Sequence, residues 1–583
     1  MPCVLAAVMP RYKALVIGDD TRSFLATVRS LGRQGIEVHA APYSMVAPAL
    51  QSKYIAEVHR LPYYLNGGAD WLQAIQQLVS AKRFDIIIPC EERSLLPLYK
   101  HQHELPSNCV LAIPNPQALD AFFDKLNTRQ LATQLDVPVA KGKPLSEHDT
   151  TESILATLRL PIVVKQRKSY SWPDLYVRTS VKFIESRTQI DSMLPSLIKG
   201  YSDFFIEEIF PGRGLGVSVL CQEGVVLQAF EHHRVHELSG SSYYRKSAPI
   251  DPHRLAAVKR MVNAVAYTGV AMFEFKLDEQ TGTWILLEVN ARPWGSLPLP
   301  VSLGVDFPFQ LFTLLVLNTV PPAVAYRPNV YGRNFFPDLW QLRAIISEPL
   351  ANKPRKLITV AKWAASFFRP VIGLEHHDVF TWDDPRPAWL ELKQFVQERR
   401  NATPLRREPA LTHIQRLLKT KSDPVRVAFI CQGNICRSPY AELKAKELFS
   451  SFKNRIMFSS AGMLPRSRRS SPDSAQASAT ARNVSMQQHL SQHASIDLIN
   501  NTDLIFIFDK KNYLSFQARY PWRMDDVFFI TDVVDIKPKL KTIDDPDGFD
   551  INTFREVYCD IDDCLNKLVQ AMNIIDTRIN KLK

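Results

Sequence analysis

At 583 residues the chain is too long for one hydrophobic core, so about three to five domains are expected. Its 46% hydrophobic and 22% charged residues are ordinary for a soluble globular protein, and the net charge of +12 reads as a solvated basic surface before it reads as a nucleotide- or lipid-binding one. No run excludes solubility: residues 307–320 are too short to span a bilayer and follow Asp306, so no transmembrane segment is read, and residues 1–10 lack the charged leader and clear cleavage site of a signal peptide.

In chain order, an apolar run over 14–17 ends in Gly18-Asp19-Asp20, is followed by Phe24, Leu25, Val28 and Leu31 at helical spacing, and leads to a strand-like stretch at 37–40. This predicts a βαβ opening, and the absence of GxGxxG argues against dinucleotide binding. A second strand over 85–89 delivers Cys90, Glu91 and Glu92 to its carboxyl end, where parallel sheets carry ligands, although exposed loop charge is the plainer role for those carboxylates. A helix begins at Asp124-Lys125, with Leu126, Leu131 and Leu135 along it.

Strands are then predicted over 160–165, ending in Lys165, and over 204–209, carrying Glu207 and Glu208 toward Pro211-Gly212. The polar stretch 239–246 reads as a loop facing an acceptor substrate. Two further strands, over 270–275 and 284–292, are joined by a hairpin-like segment at 278–282. Glu288 and Asn290 are two apart on the last strand, so both project from one face, and Glu274 on its neighbour can join them. Three oxygen-bearing side chains with few nitrogen or sulfur competitors suit Mg²⁺ held jointly with substrate phosphates.

In this order the set resembles the ATP-grasp superfamily, over roughly the first 325 residues. The resemblance implies ATP and Mg²⁺ as cofactors and activation of a carboxylate as an acyl phosphate for transfer to an amine. By it, Lys125 and Lys165 contact ATP phosphates, and Glu207 and Glu208 line the adenine and ribose hinge. Glu274, Glu288 and Asn290 hold the metal, and Arg292 steadies the transferring phosphoryl group. One departure is plain: Lys165 is followed by a glycine-free stretch, 166–174, where the superfamily usually has a glycine-rich flap, and Arg167 and Lys168 are the charges available to replace it.

Beyond 325 the signals fade. Residues 357–374 mix aromatic and basic side chains and are expected to pack on the preceding body rather than lie on a membrane. Residues 401–409 read as a proline-punctuated linker before a short basic helix ending at Lys421. An apolar, β-prone run over 425–430 then ends at residues 431–439, CQGNICRSP. Cys431 and Arg437 bracket five residues, and a helical pattern opens at Pro439. Backbone N–H groups converge on one point in such a loop. Gly433 is expected to allow the tight turn, and the helix dipole with Arg437 favours both a phosphate dianion and the thiolate of Cys431.

These residues resemble the signature of the low-molecular-weight protein tyrosine phosphatases, as do the SAG segment at 460–462 and the strand ending in Asp509. The resemblance implies Cys431 as nucleophile and Arg437 as the cradle of the phosphoryl oxygens, with Gly433, Asn434, Cys436 and Ser438 completing the loop. Asp545, before Pro546, is implied as the general acid. The flanking Asp544 and Asp547 leave that register open, and Asp547 stands where the family usually has an aromatic residue. Phe554, Val557, Ile561, Leu565, Leu568 and Met572 predict a core-facing helix at the end of the chain.

The eight cysteines show no metal-ligand spacing and no disulfide framework, and a thiol enzyme needs reducing surroundings, so a cytoplasmic location is expected. The expected architecture is α/β and multidomain: a pre-ATP-grasp α/β domain over 12–122, an ATP-grasp domain over 123–325, a mainly helical extension and linker over 326–422, and a Rossmann-like parallel-sheet phosphatase domain over 423–583. The expected function is bifunctional: an aryl phosphate or phosphotyrosine phosphatase, needing no cofactor, joined to an ATP-dependent ligase for an unnamed carboxylate and amine. No nucleic-acid partner is expected. Two alternatives stand beside it, a nucleotide- or metabolite-sensing N-terminal module and an arsenate reductase-like C-terminal one. The second lacks the extra thiols it would need near 503–512.

Overall fold

The structure, a computed structural model, describes residues 12–62, 64, 67–170, 172, 175, 181–198, 201–238, 241–339, 363, 366, 368–402, 410–421, 423–452, 455–464, 467–533 and 542–580. The chain divides into two compact units, Met1–Arg399 and Arg400–Lys583.

The first unit opens with a parallel sheet of β1 (Lys13–Ile17), β2 (Glu37–Ala41), β3 (Ile55–Val58), β4 (Ile86–Pro89) and β5 (Val110–Leu111), ordered β3-β2-β1-β4-β5. The helix Ser23–Arg33 buries Phe24, Leu25, Val28 and Leu31 against one face, and the helix Ala69–Lys82 buries Trp71, Ile75 and Val79 against the other. Helices on both faces explain why these strands read as continuous apolar runs. A four-stranded antiparallel sheet follows, β6 (Gly142–Pro144), β7 (Ile162–Gln166), β8 (Lys182–Ile184) and β9 (Phe204–Glu208), ordered β6-β9-β7-β8.

The largest sheet has seven strands: β10 (Arg213–Gln222), β11 (Val225–Leu238), β12 (Ser241–Ala248), β13 (Gly269–Leu277), β14 (Trp284–Asn290), β15 (Tyr331–Arg333) and β16 (Glu375–His377), ordered β14-β13-β10-β11-β12-β15-β16. One expectation changes here. Of the stretch read as an acceptor-facing loop, Ser241 to Lys246 lie in β12, paired with β11 on one side and β15 on the other, while 239 and 240 lie outside the described residues. The segment expected to be mainly helical holds the helices Arg386–Ala402 and Ala410–Thr420 and adds to this sheet two three-residue strands, fastened by buried ion pairs. Arg245 meets Asp378 through two 2.8 Å hydrogen bonds, and Arg333 meets Glu375 and Asp338, each at 2.7 Å. Much of 357–374 lies outside the described residues. The apolar run at 307 forms the helix Phe307–Leu315, and no helix among the described residues is long and apolar enough to cross a membrane.

The second unit is a parallel sheet of β17 (Val425–Cys431), β18 (Ile456–Gly462), β19 (Leu504–Ile507) and β20 (Val527–Phe529), ordered β18-β17-β19-β20. The helices Ala410–Thr420, Arg437–Leu448 and Ile551–Asn580 pack on one face of it, and the helices Ile496–Asn500 and Lys510–Arg519 on the other. As its spacing predicts, the last helix buries Phe554, Val557, Ile561, Leu565 and Leu568 in the sheet's core; the side chain of Met572 lies outside the described residues. The expected linker begins inside a helix, since Asn401 and Ala402 end Arg386–Ala402, and residues 403–409 lie outside the described residues.

Candidate active sites

β17 runs between β18 and β19, so its carboxyl end, Cys431, emerges at the centre of the parallel sheet. The loop then turns directly into the helix Arg437–Leu448. Cys431 Sγ lies 3.0 Å from Ser438 Oγ and accepts from the Asn434 backbone N–H at 3.2 Å, so one hydroxyl and one amide of the loop face the sulfur. The turn itself departs from expectation. The left-handed residue is Asn434, at φ 52°, and Gly433 is not in that region; a short polar side chain tolerates the conformation by bonding locally.

Asn434 is fully buried and its side chain ties the loop together. Nδ2 donates to Ser438 Oγ at 3.0 Å and to Ser460 Oγ at 2.8 Å, while Oδ1 accepts from Gln492 N at 2.8 Å. From outside the loop, Arg469 Nη2 donates to the Gly433 carbonyl at 2.7 Å and His489 Nε2 to the Asn434 carbonyl at 2.8 Å. Gly462 closes the SAG segment because a Cβ there would stand 3.0 Å from the backbone of both Gly433 and Asn434. Cys436 is buried, and burial together with Asp547, Asp545 and Cys431 raises its pKa, which keeps it a neutral thiol beneath the loop.

Arg437 is fully buried. Its Nη1 donates to Asp509 Oδ2 at 2.5 Å and to the Ile543 carbonyl at 2.7 Å, which aims the guanidinium. Burial pulls its pKa down, but Asp545, Cys431 and Asp509 outweigh that and raise it above the usual value. Nη2 stands 2.9 Å from Asp545 Oδ2 without the alignment of a hydrogen bond, and Nε has no hydrogen-bond partner among the described residues. A buried cation with unsatisfied donors is suited to receive an anion. Of the three aspartates at 544–547, Asp545 is the one beside the loop's arginine, whereas Asp544 and Asp547 are exposed.

In the first unit, register places Glu274 on β13 directly opposite Glu288 on β14, with Asn290 two residues on. Asn290 Nδ2 donates to Glu274 Oε1 at 3.3 Å, Arg292 Nη2 donates to Asn290 Oδ1 at 3.1 Å and to Glu92 Oε1 at 3.3 Å, and Arg292 Nε is buried without a hydrogen-bond partner among the described residues. The structure thus joins Glu92, at the carboxyl end of the first sheet, to the predicted metal set. Arg234, unnoticed in the sequence, bonds Glu274 from β11. The set fits a hard divalent cation, since paired carboxylates and an amide oxygen are oxygen donors on neighbouring strands.

The other predicted contacts are more dispersed. Lys165 and Arg129 both pair with the buried Glu207, the latter at 3.1 Å. Glu208, next along β9, faces the other way and accepts from Arg159 N at 3.0 Å, so alternation keeps Glu207 and Glu208 from lining one surface together. Lys125 Nζ donates to Ser169 Oγ at 3.2 Å. Arg167 does not replace the flap's missing amides. Its guanidinium bonds Asp124, the residue that caps the helix Lys125–Gln134, at 3.0 Å. Most of 171–180 lies outside the described residues. Asp19, at the end of β1, has a pKa raised to about 6 by burial and by Glu91.

Residues 426–577 match the family model for low molecular weight phosphotyrosine protein phosphatase. A stretch of 86 residues, 15% of this chain, is 33% identical to a probable low molecular weight protein-tyrosine-phosphatase of Erwinia amylovora and covers 57% of it. Another 177 residues, 29% of this chain, are 28% identical to N5-carboxyaminoimidazole ribonucleotide synthase of Synechococcus elongatus and cover 43% of that protein. The chain thus spans less than two thirds of either relative. Among solved structures, N5-carboxyaminoimidazole synthetase from Staphylococcus aureus complexed with ADP has a TM-score of 0.43 at 16% identity, over 54% of this chain and 80% of that one. The chain joins an N-terminal part resembling ATP-grasp carboxylate-amine ligases to a C-terminal part that matches the low molecular weight phosphatase model.

Proposed function

We propose that the protein is a bifunctional cytoplasmic enzyme, an aryl phosphate or phosphotyrosine phosphatase working through a Cys431 phosphoenzyme and an ATP-dependent ligase of the carboxylate-amine type. The observation that carries the phosphatase half is the convergence on Cys431 Sγ of Ser438 Oγ at 3.0 Å and Asn434 N at 3.2 Å, beside a buried Arg437 with unsatisfied donors. The sulfur attacks phosphorus as the P–O bond to the leaving group breaks, and Asp545 gives its proton to the leaving oxygen. Loop amides and Arg437 hold the three remaining phosphoryl oxygens. Water then attacks the phosphocysteine, Asp545 takes its proton, and phosphate leaves with the Cys431 sulfur restored. Cys431→Ser is expected to abolish aryl phosphate hydrolysis while leaving ATP binding intact; turnover above a few per cent of wild type overturns the assignment.

For the ligase half, Glu274, Glu288 and Asn290 would hold Mg²⁺, which when bound supplies charge neutralisation for the phosphates of ATP. Arg292 is placed to meet the transferring phosphoryl group, and Lys125 and Lys165 to meet the other phosphates, Lys165 exchanging Glu207 for the nucleotide. ADP release by the purified protein, screened against pooled carboxylates and amines, tests this. A sensing N-terminal module is the second reading, favoured by the commitment of Arg167 to Asp124 in a flap without glycine. ATP binding without turnover across the screen would support it.

A further inference from the structure

Away from both sites, at the β2–β3 edge of the first sheet, two histidines and a glutamate converge. His39, Glu57 and His59 each offer one ligand atom, and these atoms lie within 4.8 Å of one another. Their convergence is built into the strand pairing. The register shifts between Val38 and His39, which sets Glu57 opposite His39 instead of Ala56, and irregularities of this kind re-aim side chains. Glu57 and His59 are two apart, so alternation turns both to the face on which His39 lies, and His59 N donates to the Ala40 carbonyl at 2.8 Å to keep the pairing going.

The orientation of His39 is fixed from behind. Its Nε2 is 3.0 Å from Glu37 Oε1, which holds the proton on that nitrogen and leaves Nδ1 with its lone pair. Nδ1 is 2.7 Å from His59 Nε2 and 3.8 Å from Glu57 Oε2, with the two rings nearly parallel at 3° and Phe84 edge-on to both. A carboxylate behind a histidine whose free nitrogen meets a second histidine and a second carboxylate is the arrangement found around divalent transition metals. Such a donor set, two imidazoles and one carboxylate, selects a borderline ion over Mg²⁺ or Ca²⁺.

We propose that His39 Nδ1, His59 Nε2 and Glu57 bind a divalent transition-metal ion of the Zn²⁺ class, with Glu37 as the orienting carboxylate, and that the ion pins the edge strand β3 to β2. Without metal, His59 Nε2–H donates to the lone pair of His39 Nδ1. Bound to a tetrahedral ion at about 2.0–2.1 Å each, the nitrogens stand about 3.3 Å apart, so metal entry moves the His59 proton from Nε2 to Nδ1, which lies 3.7 Å from Glu57 Oε1, and widens the gap by about 0.6 Å. His59 lies just past an edge strand, where such a shift meets little resistance. Glu57 Oε2, the oxygen nearer His39 Nδ1, is also held by Lys82 Nζ at 2.7 Å, so Lys82 competes with the ion for it, and Lys13 lies 3.6 Å from Glu37.

The test is Co²⁺ titration of the full-length protein in excess Mg²⁺, which occupies the oxygen-donor set elsewhere. Wild type is expected to show visible d–d bands without thiolate-to-cobalt charge transfer, which separates this site from any cysteine, and Zn²⁺ is expected to displace the cobalt and raise the melting temperature. His59→Gln should remove one equivalent and the bands. Glu37→Gln should weaken binding by about 10–100-fold, an effect that a merely structural carboxylate would not have. Lys82→Met, which removes a nearby positive charge, should tighten it. Glu57→Gln, at an exposed position, guards against misfolding and should weaken binding as well. Wild type without such bands, or His59→Gln with unchanged stoichiometry, overturns the proposal and leaves a hydrogen-bonded imidazole pair.

Discussion

Replacing Asn434 separates three things that one residue does in the phosphate loop. In Asn434→Ala the backbone N–H of Gln492, an exposed residue, loses a partly buried hydrogen bond worth about 0.5–1.5 kcal/mol. Ser438 and Ser460 each lose one bond but keep others, to Cys431 and Ala461 and to Glu442 respectively, so their loss is about 0.5–1 kcal/mol each. Alanine at φ 52° adds about 1 kcal/mol of backbone strain, which Asn434→Gly relieves. The expected destabilisation is therefore about 2.5–4.5 kcal/mol for alanine and about 1 kcal/mol less for glycine. Because a chain of several cores does not unfold in one step, the assay should follow this domain alone, as residual aryl phosphatase activity against urea. Both variants should also lose about 10²-fold in kcat/KM as the loop amides diverge. Midpoints equal to wild type, or glycine worse than alanine, would refute this account of the turn.

Asp545→Asn should lower phosphatase turnover by about 10²–10⁴-fold, and Asp547→Asn should leave it nearly unchanged; the reverse order in steady-state kinetics would move the general acid. Glu288→Ala should eliminate Mg²⁺-dependent ATP turnover, measured as ADP release, without altering aryl phosphate hydrolysis, because the two sites belong to separate cores. Arg245→Met strands the buried Asp378 and should destabilise the first unit by about 3–5 kcal/mol in denaturant titrations, while adding Asp378→Leu should recover most of that loss.

What could be read from the sequence depended on how locally each feature is encoded. Cys431 to Arg437 is one unbroken loop between a strand and a helix, so its residues and its place at the end of β17 were legible together. Its supports were not. Asp509, Arg469, His489 and Gln492 reach it from 36 to 72 residues away along the chain, and no spacing rule joins them. Asn434 shows the same limit at short range: glycine is the usual residue for a tight turn, and only the buried partners of its amide explain why asparagine takes the left-handed position instead. The polar residues of β12 hid a strand because Arg245 is buried by pairing with Asp378, 133 residues on.

The two sites also differ in what holds their charges before substrate arrives. In the phosphate loop one guanidinium is aimed by Asp509 and a main-chain carbonyl, and its Nε remains unsatisfied, so an arriving phosphate gains contacts without breaking those that aim it. Around the predicted nucleotide site four cations are matched to carboxylates, Lys165 to Glu207, Arg292 to Glu92, Arg234 to Glu274 and Arg167 to Asp124, although Arg292 Nε, like Arg437 Nε, has no hydrogen-bond partner among the described residues. A polyanion entering there must exchange several of these pairs at once, and each exchange returns a carboxylate to a partly buried position that costs free energy unless another donor or a metal ion meets it. Glu274 and Glu288 would be met by the divalent cation that accompanies the nucleotide, whereas Glu207 retains Arg129 when Lys165 leaves. Arg129 would thus let Lys165 serve a nucleotide, as proposed, without stranding a buried carboxylate, a role for a residue with no place in the motif.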